Sequence, residues 1–235
     1  MVLNESVSAL VIRRADWRDY DRIVTLLTRE RGRVEAAVRG CRRPKSELMN
    51  AAEPFVCGQY QLYFNHGRFT VTQCRVTDGF YPLREDMERL TLGAAWLRLL
   101  EEVSVPEEPA GELFELALSA LTYLAYSDTD QSALDLMFKL KLCLVSGFAP
   151  SADACAVCGR SARETALGFD ARRGGCVCRA CALQATPLGE GARRILFKAP
   201  RAPFKSVQLL SGHPDVNEAL LRTNEFLDYN VARIG

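Results

Sequence analysis

Histidine is almost missing from this chain: there are two in 235 residues, His66 and His213. They stand in Asn-His-Gly and Gly-His-Pro contexts, the chemistry of surface turns. A nucleophile–base pair has no histidine to work with. The zinc-deaminase pattern also fails, because it needs His-x-Glu and Pro-Cys-x-x-Cys. Here His66 precedes Gly67-Arg68, His213 precedes Pro214-Asp215, and Val177 stands before Cys178. The dipeptide Gly-Lys does not occur, which excludes a Walker phosphate loop. No apolar run approaches a membrane span, and the chain reaches Arg13-Arg14 without the long apolar stretch of a secretory signal. Neither sign of charge dominates, the formal net charge being +1.

What is abundant is cysteine, nine in all. Cys155-Ala-Val-Cys158 and Cys178-Arg-Ala-Cys181 are two Cys-x-x-Cys pairs with nineteen residues between Cys158 and Cys178. That separation matches a four-thiolate zinc site. Each pair sets two sulfurs on one tight turn, and the facing turns complete a tetrahedron. Gly159, Gly174 and Gly175 allow the sharp bends. Cys176 competes with Cys178 for a place, but Cys176 to Cys181 is the longer spacing. Four thiolates leave no position for water, so the expected Zn2+ is structural rather than catalytic. Cys41, Cys57, Cys74 and Cys143 are scattered through apolar patterns. With no secretory signal in view, zinc in a reducing cytoplasm fits better than disulfides.

Charge is unevenly spread. Residues 1–80 hold thirteen Lys/Arg against nine Asp/Glu, residues 81–150 five against twelve, and residues 151–235 twelve against eight. Such asymmetry suggests separate partners, nucleic acid for the basic parts and something else for the acidic one. The first eighty residues read as β structure: Ser6–Arg13, Arg22–Thr28, Arg33–Val38, Phe55–Phe64 and Phe69–Val76, with Asn65-His66-Gly67 closing the last hairpin. A short helix over Ser46–Ala52 would fall between the third and fourth strands. Five strands in that order suggest an OB-fold barrel. Arg29 to Lys45 carries seven cations against two anions. Within it, Arg39-Gly-Cys-Arg42-Arg43-Pro-Lys45 is a loop kept irregular by Gly40 and Pro44. Arg31, Arg33, Arg39, Arg42, Arg43 and Lys45 are the expected DNA contacts, guanidinium forks suiting phosphate oxygens. Tyr60, Tyr63, Phe64 and Phe69 are candidate aromatics for stacking on single-stranded bases. Alternation puts about half of them in the core.

From Pro82 the apolar period changes to three and four. Met87–Leu100, Leu113–Leu124 and Leu134–Val145 read as helices, the third apolar nearly all round. Gly147 is placed to cap the third and Pro150 to stop it. Beyond Cys181, Pro187 begins a return to helix, Gly191–Lys198 reads as a basic turn, and Val216–Ala232 as a final helix. The expected architecture is α+β: an OB-fold barrel over 1–80, a helical bundle over 81–150 and 186–235, and a metal module over 151–185 inserted into it.

This order of parts resembles the RecO family of bacterial recombination mediators. The stretches that carry the resemblance are Thr25–Arg33, Val38-Arg39-Gly40-Cys41-Arg42-Arg43-Pro44-Lys45-Ser46, Glu53-Pro54-Phe55, Phe138–Pro150, Cys155-x-x-Cys158-Gly159 and Gly174-Gly175-x-x-Cys178-x-x-Cys181. The alignment of Gly174-Gly175 favours Cys178 over Cys176 as a ligand. The resemblance implies an OB-fold, a helical domain and a zinc-finger-like loop. It further implies binding to single- and double-stranded DNA, annealing of complementary strands, and cooperation with RecR to bring RecA onto strands coated by single-strand-binding protein. The acidic tail of that protein docks on the helical part of some members, for which Arg193, Arg194 and Lys198 are candidates here. A binding protein is expected, not an enzyme. The competing expectation is a zinc-ribbon adaptor for another protein. A nuclease ranks below both, since no acidic metal cluster is evident.

Overall fold

The computed structural model describes residues 3–161, 167–181 and 185–231. Chain contacts group into two compact units, Met1–Ala125 and Tyr126–Gly235.

The first unit begins with β1 (Leu3–Trp17), β2 (Asp21–Thr28), β3 (Gly32–Val38), β4 (Cys57–Asn65) and β5 (Arg68–Asp78). They close into a barrel in the order β1-β2-β3-β5-β4. β1 is long enough to serve both ends of the closure. Its first half pairs with β4 from Leu3 to Leu10, and its second half with β2 from Ala9 to Trp17. An irregularity between Val11 and Arg13 bends the strand where it passes from one partner to the other. β3 meets β5 in parallel through Ala36–Phe69 and Ala37–Thr70. This is the five-stranded OB arrangement expected from the sequence.

Alternation fills the barrel. Val7, Ala9, Val11, Val24, Leu26 and Val34 point inward and are buried, with Tyr60, Leu62 and Val71 from the other side. The short helix expected over Ser46–Ala52 is not formed. A single 3-10 turn spans Asn50–Ala52, and Glu53 after it is extended. Pro54 disfavours helical geometry in the residue before it. Ala51 and Ala52 instead plug the barrel, and the carbonyl of Ala51 accepts the Tyr60 hydroxyl at 2.9 Å.

α1 (Met87–Val103) and α2 (Gly111–Tyr126) follow. Asp86 caps α1, its Oδ1 accepting from the N–H of Glu88 and of Arg89 at 3.0 and 3.1 Å. The segment after α1 is tied to β3: Arg33 N donates to Val105 O at 3.1 Å and Glu107 N to Arg33 O at 3.4 Å. Gly32 makes that approach possible. Its φ is +59°, and a Cβ there would collide with the carbonyls of Val105 and Glu108.

In the second unit α3 (Gln131–Val145) is central, with Leu134, Leu136, Met137, Phe138 and Leu140 all buried. Gly147, at φ +79°, terminates it, and Phe148 N returns to Cys143 O at 3.0 Å. Strands β6 (Leu167–Asp170), β7 (Gly175–Cys178) and β8 (Thr186–Pro187) form a small sheet in the order β7-β6-β8. α4 (Glu190–Lys198) and α5 (Val216–Val231) complete the unit. Two expectations are corrected here. Pro187 lies in a strand, and the stretch read as a basic turn is a helix. Ala192, Ile195 and Leu196 share one buried face of it, which outweighs Gly191 and the arginines. Ala232, the expected end of the last helix, lies outside the described residues. Lys139 joins α3 to α5 by contacts to Asp135 Oδ2 at 2.6 Å and Asn224 Oδ1 at 2.8 Å.

Candidate metal centre and nucleic-acid interface

The ligand atoms of Cys155, Cys158, Cys178 and Cys181 all lie within 4.8 Å of one another. Tetrahedral Zn–S bonds of about 2.3 Å require sulfurs about 3.8 Å apart. Cys158 Sγ and Cys178 Sγ are 3.7 Å apart. Two turns deliver the pairs. Gly159 N donates to Cys155 O and Cys181 N to Cys178 O, each at 2.9 Å. The turns are registered through β7: Ala156 N bonds Cys176 O, and Cys176 N bonds Ser151 O, both at 2.7 Å. Gly175, at φ +130°, sits where a Cβ would strike the Ser151 backbone, so the strands approach only because it is glycine.

Electrostatics divide the sulfurs: Cys155 and Cys178 are driven toward thiolate, whereas hydrogen bonds with Cys158 and Cys178 push the Cys181 thiol up to about 12. Burial raises the Cys155 thiol pKa, but backbone N–H groups at Cys178, Cys158 and Val157 outweigh it and bring it to about 6. Cys178 is likewise lowered, its burial outweighed by hydrogen bonds from Cys181 and Cys158. Cys176 stands two residues before Cys178 on β7 but is not among the four gathered sulfurs. It is fully buried, and burial pushes its thiol up to about 12, as for an apolar core residue. By their spacing the four sulfurs fit a metal ion. Among the described residues, Cys155, Val177 and Cys178 form the apolar cluster at the site, with Cys181 and Ala185 beside them. Phe169 of β6 is anchored against Phe226 of α5, with ring centroids 6.5 Å apart.

The expected DNA cations divide into two groups. Arg31 and Arg33 are engaged. Arg31 reaches Glu107 at 2.9 Å and Glu5 at 3.4 Å, and its guanidinium carbon lies 5.3 Å from the centroid of the Phe69 ring. Arg33 donates to the Glu101 carbonyl at 2.6 Å. Arg39, Arg42, Arg43 and Lys45 are exposed at one end of the barrel. Their loop is braced against the β1–β2 turn. Arg42 N donates to Tyr20 O at 3.0 Å, and Gly40 N to Asp21 Oδ1 at 2.8 Å. Arg42 also reaches Asp16 Oδ2 at 3.5 Å. The hydrogen bond from Arg22, followed by the charges of Arg42 and its neighbours, holds the Asp16 carboxyl below the usual range.

Beside this end a cleft of about 1000 Å³ runs along β3. Arg13, Arg39 and Arg68 line it, together with Trp17, Phe64 and Phe69. Glu35, Glu101 and Glu107 line it too, so the cleft is mixed in sign. Arg13 is held between Glu35 at 3.1 Å and Glu101 at 2.8 Å. Sequence reading did not single out Arg13, Trp17, Tyr20 or Arg68. Arg13 and Trp17 lie in the second half of a strand expected to stop at Arg13. Of the candidate aromatics, Tyr60 is wholly buried, Phe69 nearly so, and Tyr63 and Phe64 are half-buried. Elsewhere, Arg193 is turned inward to Glu190 and the Ala152 carbonyl, whereas Arg194 and Lys198 are exposed on α4. Among the described residues, no helix is long and apolar enough to cross a membrane.

Comparison with known proteins covers nearly the whole chain. The family model described as recombination protein O N terminal matches residues 1–80, and that described as recombination protein O C terminal matches residues 84–235. The DNA repair protein RecO of Symbiobacterium thermophilum is 36% identical over 197 residues, 83% of this chain and 76% of the relative. That of Acetivibrio thermocellus is 31% identical over 194 residues, 80% and 76% of the two chains. That of Pelotomaculum thermopropionicum is 31% identical over 229 residues, 96% and 88% of them.

Proposed function

This chain belongs to the recombination protein O (RecO) family, and from that premise we propose that it binds single- and double-stranded DNA, anneals complementary strands, and works with RecR to bring RecA onto single strands coated by single-strand-binding protein. The reading rests on one observation above all. Arg39, Arg42, Arg43 and Lys45 are exposed together on a loop whose backbone is braced against the neighbouring turn. Cations on a fixed loop meet phosphates without first ordering that loop, so less affinity is lost on binding. The contact is to backbone phosphate and carries no sequence information. The work is done by binding, and pairing of bases supplies the free energy of annealing.

Zinc is the proposed ion of the tetrathiolate centre, in a structural role. Cys155, Cys158, Cys178 and Cys181 would hold it, and it would supply folding energy to the module. If the acidic tail of single-strand-binding protein docks on this chain, Arg194 and Lys198 offer the exposed cations of α4. Arg193, turned inward to the Ala152 carbonyl, would support the helix instead, whereas Arg194 also pairs with Glu190 at 2.9 Å but stays exposed.

The test is the salt dependence of DNA binding. The double variant Arg42→Glu, Arg43→Glu should weaken binding to every sequence. It should flatten the log–log salt slope by roughly 0.7 per lost contact on single strands and roughly 0.9 on duplex. A slope equal to that of the unaltered protein removes this loop from the DNA surface.

A further inference from the structure

The barrel end that carries the exposed cations also carries an exposed aromatic ring. Tyr20, in the turn between β1 and β2, has 49% of its surface exposed. The guanidinium carbon of Arg43 lies 5.3 Å from the centroid of its ring. Next to it Arg18 lies 4.4 Å from the Trp17 ring centroid, and Trp17 also lines the cleft along β3. The turn is tight, Arg18 taking φ +56°. It is also fixed from the side, because the Tyr20 carbonyl accepts from Arg42 N and Asp21 accepts from Gly40 N. The backbone of Tyr20 is thus held by Arg42 N and its ring is covered in part by Arg43, both from the loop that also carries the exposed Arg39 and Lys45.

We infer that Tyr20 is a stacking platform for an unpaired base, with Arg43 beside the ring and the loop cations on the flanking phosphates. The inference rests on the DNA-binding reading above and names the group that would make that surface favour single strands. A ring and a guanidinium accept any base face, because every base has one. A base inside a duplex has both faces covered by its neighbours and offers nothing to Tyr20. Phosphates are presented by both forms. Cation contacts therefore serve single and double strands alike, and the ring separates them. Tyr60 and Phe69 are withdrawn into the barrel and cannot serve in this way.

The experiment uses the full chain with three probes: a single strand, the matching duplex, and a single strand of the same length built from abasic residues. Tyr20→Leu should lower single-strand affinity by about 5- to 150-fold, the range for losing one stacked base. Tyr20→Phe should keep it. Neither change should alter duplex affinity or the salt slope. The unaltered protein should prefer the normal strand to the abasic one, and Tyr20→Leu should shrink that preference. Equal single-strand affinity for Tyr20→Leu and the unaltered protein overturns the inference while leaving DNA binding in place. So does an equal loss on single strand and duplex. If the unaltered protein binds none of the three, both the inference and the reading beneath it fall.

Discussion

Arg13 shows how a single residue sets the strength of a charged surface. It faces the cleft with two carboxylates on its guanidinium, Glu101 at 2.8 Å and Glu35 at 3.1 Å. A carboxylate on an arginine holds the place that a phosphate oxygen would take. Arg13 and Glu35 are more than half exposed, so that pair adds little to stability, about 0–1 kcal/mol. The larger consequence is competition. Glu101→Gln should remove one competitor while leaving the main-chain carbonyl that Arg33 uses. Single-strand affinity should then rise, and the salt slope should steepen by up to roughly 0.7, one added phosphate contact. Titrations at several salt concentrations measure both. An unaltered slope and affinity would mean that Arg13 takes no part. Sequence reading missed this residue for a physical reason. The first strand was expected to end at Arg13, whereas β1 runs on to Trp17, and the basic run instead pointed to Arg31 and Arg33. Their partners Glu101 and Glu107 lie about seventy residues further along, a separation that no local pattern reveals.

At the scale of elements, what was legible follows from period. β4 announces itself by alternation, β2, β3 and β5 by β-rich runs bounded by turns, α1 to α3 by three-and-four spacing, and the two cysteine turns by their separation. The misread elements are those where another term wins. Ser46–Ala52 has helical composition, but Pro54 and the Tyr60 hydroxyl claim its end. Gly191–Lys198 looks like a turn, yet Ala192, Ile195 and Leu196 recur at helical spacing and were there to be counted. The metal module is the element most dependent on a non-local bond. Among the described residues its own apolar cluster is three buried residues and two half-buried neighbours, two of the five being non-cysteine. Cys158→Ser should therefore reduce the zinc content from one ion per chain toward none and lower the melting temperature of the second unit. Trp17 and Trp96, the two tryptophans, both lie in the first unit, so their emission reports that unit alone. Metal analysis together with far-ultraviolet melting and tryptophan emission separates the outcomes. Full zinc content with unaltered melting would sink the tetrathiolate assignment, whereas lost zinc with unchanged emission confines its role to the module.

For the molecule as a whole, a net charge of +1 means that nothing draws a polyanion from a distance. Attraction has to be local. At physiological salt the screening length is about 8 Å, so a phosphate senses only the charges close to it: the exposed arginines of the loop and, in the cleft, Glu101 and Glu107 from the acidic stretch. Two complementary strands repel one another along their whole length, and a protein that neutralises a few phosphates at the point of first contact lowers the barrier to nucleating the duplex. Such a protein should speed annealing of dye-labelled complementary oligonucleotides at low salt. The acceleration should fade steeply as salt rises, and the Arg42→Glu, Arg43→Glu double variant should lose most of it. Annealing measured without any partner protein distinguishes this behaviour from that of an adaptor, for which the twelve acidic residues against five basic ones over 81–150 supply the argument. An adaptor would bind a basic partner through those helices and leave the annealing rate where it stands in buffer. Acceleration that survives high salt would be equally damaging to the electrostatic account, because it would mean that the strands meet on a surface other than the exposed arginines.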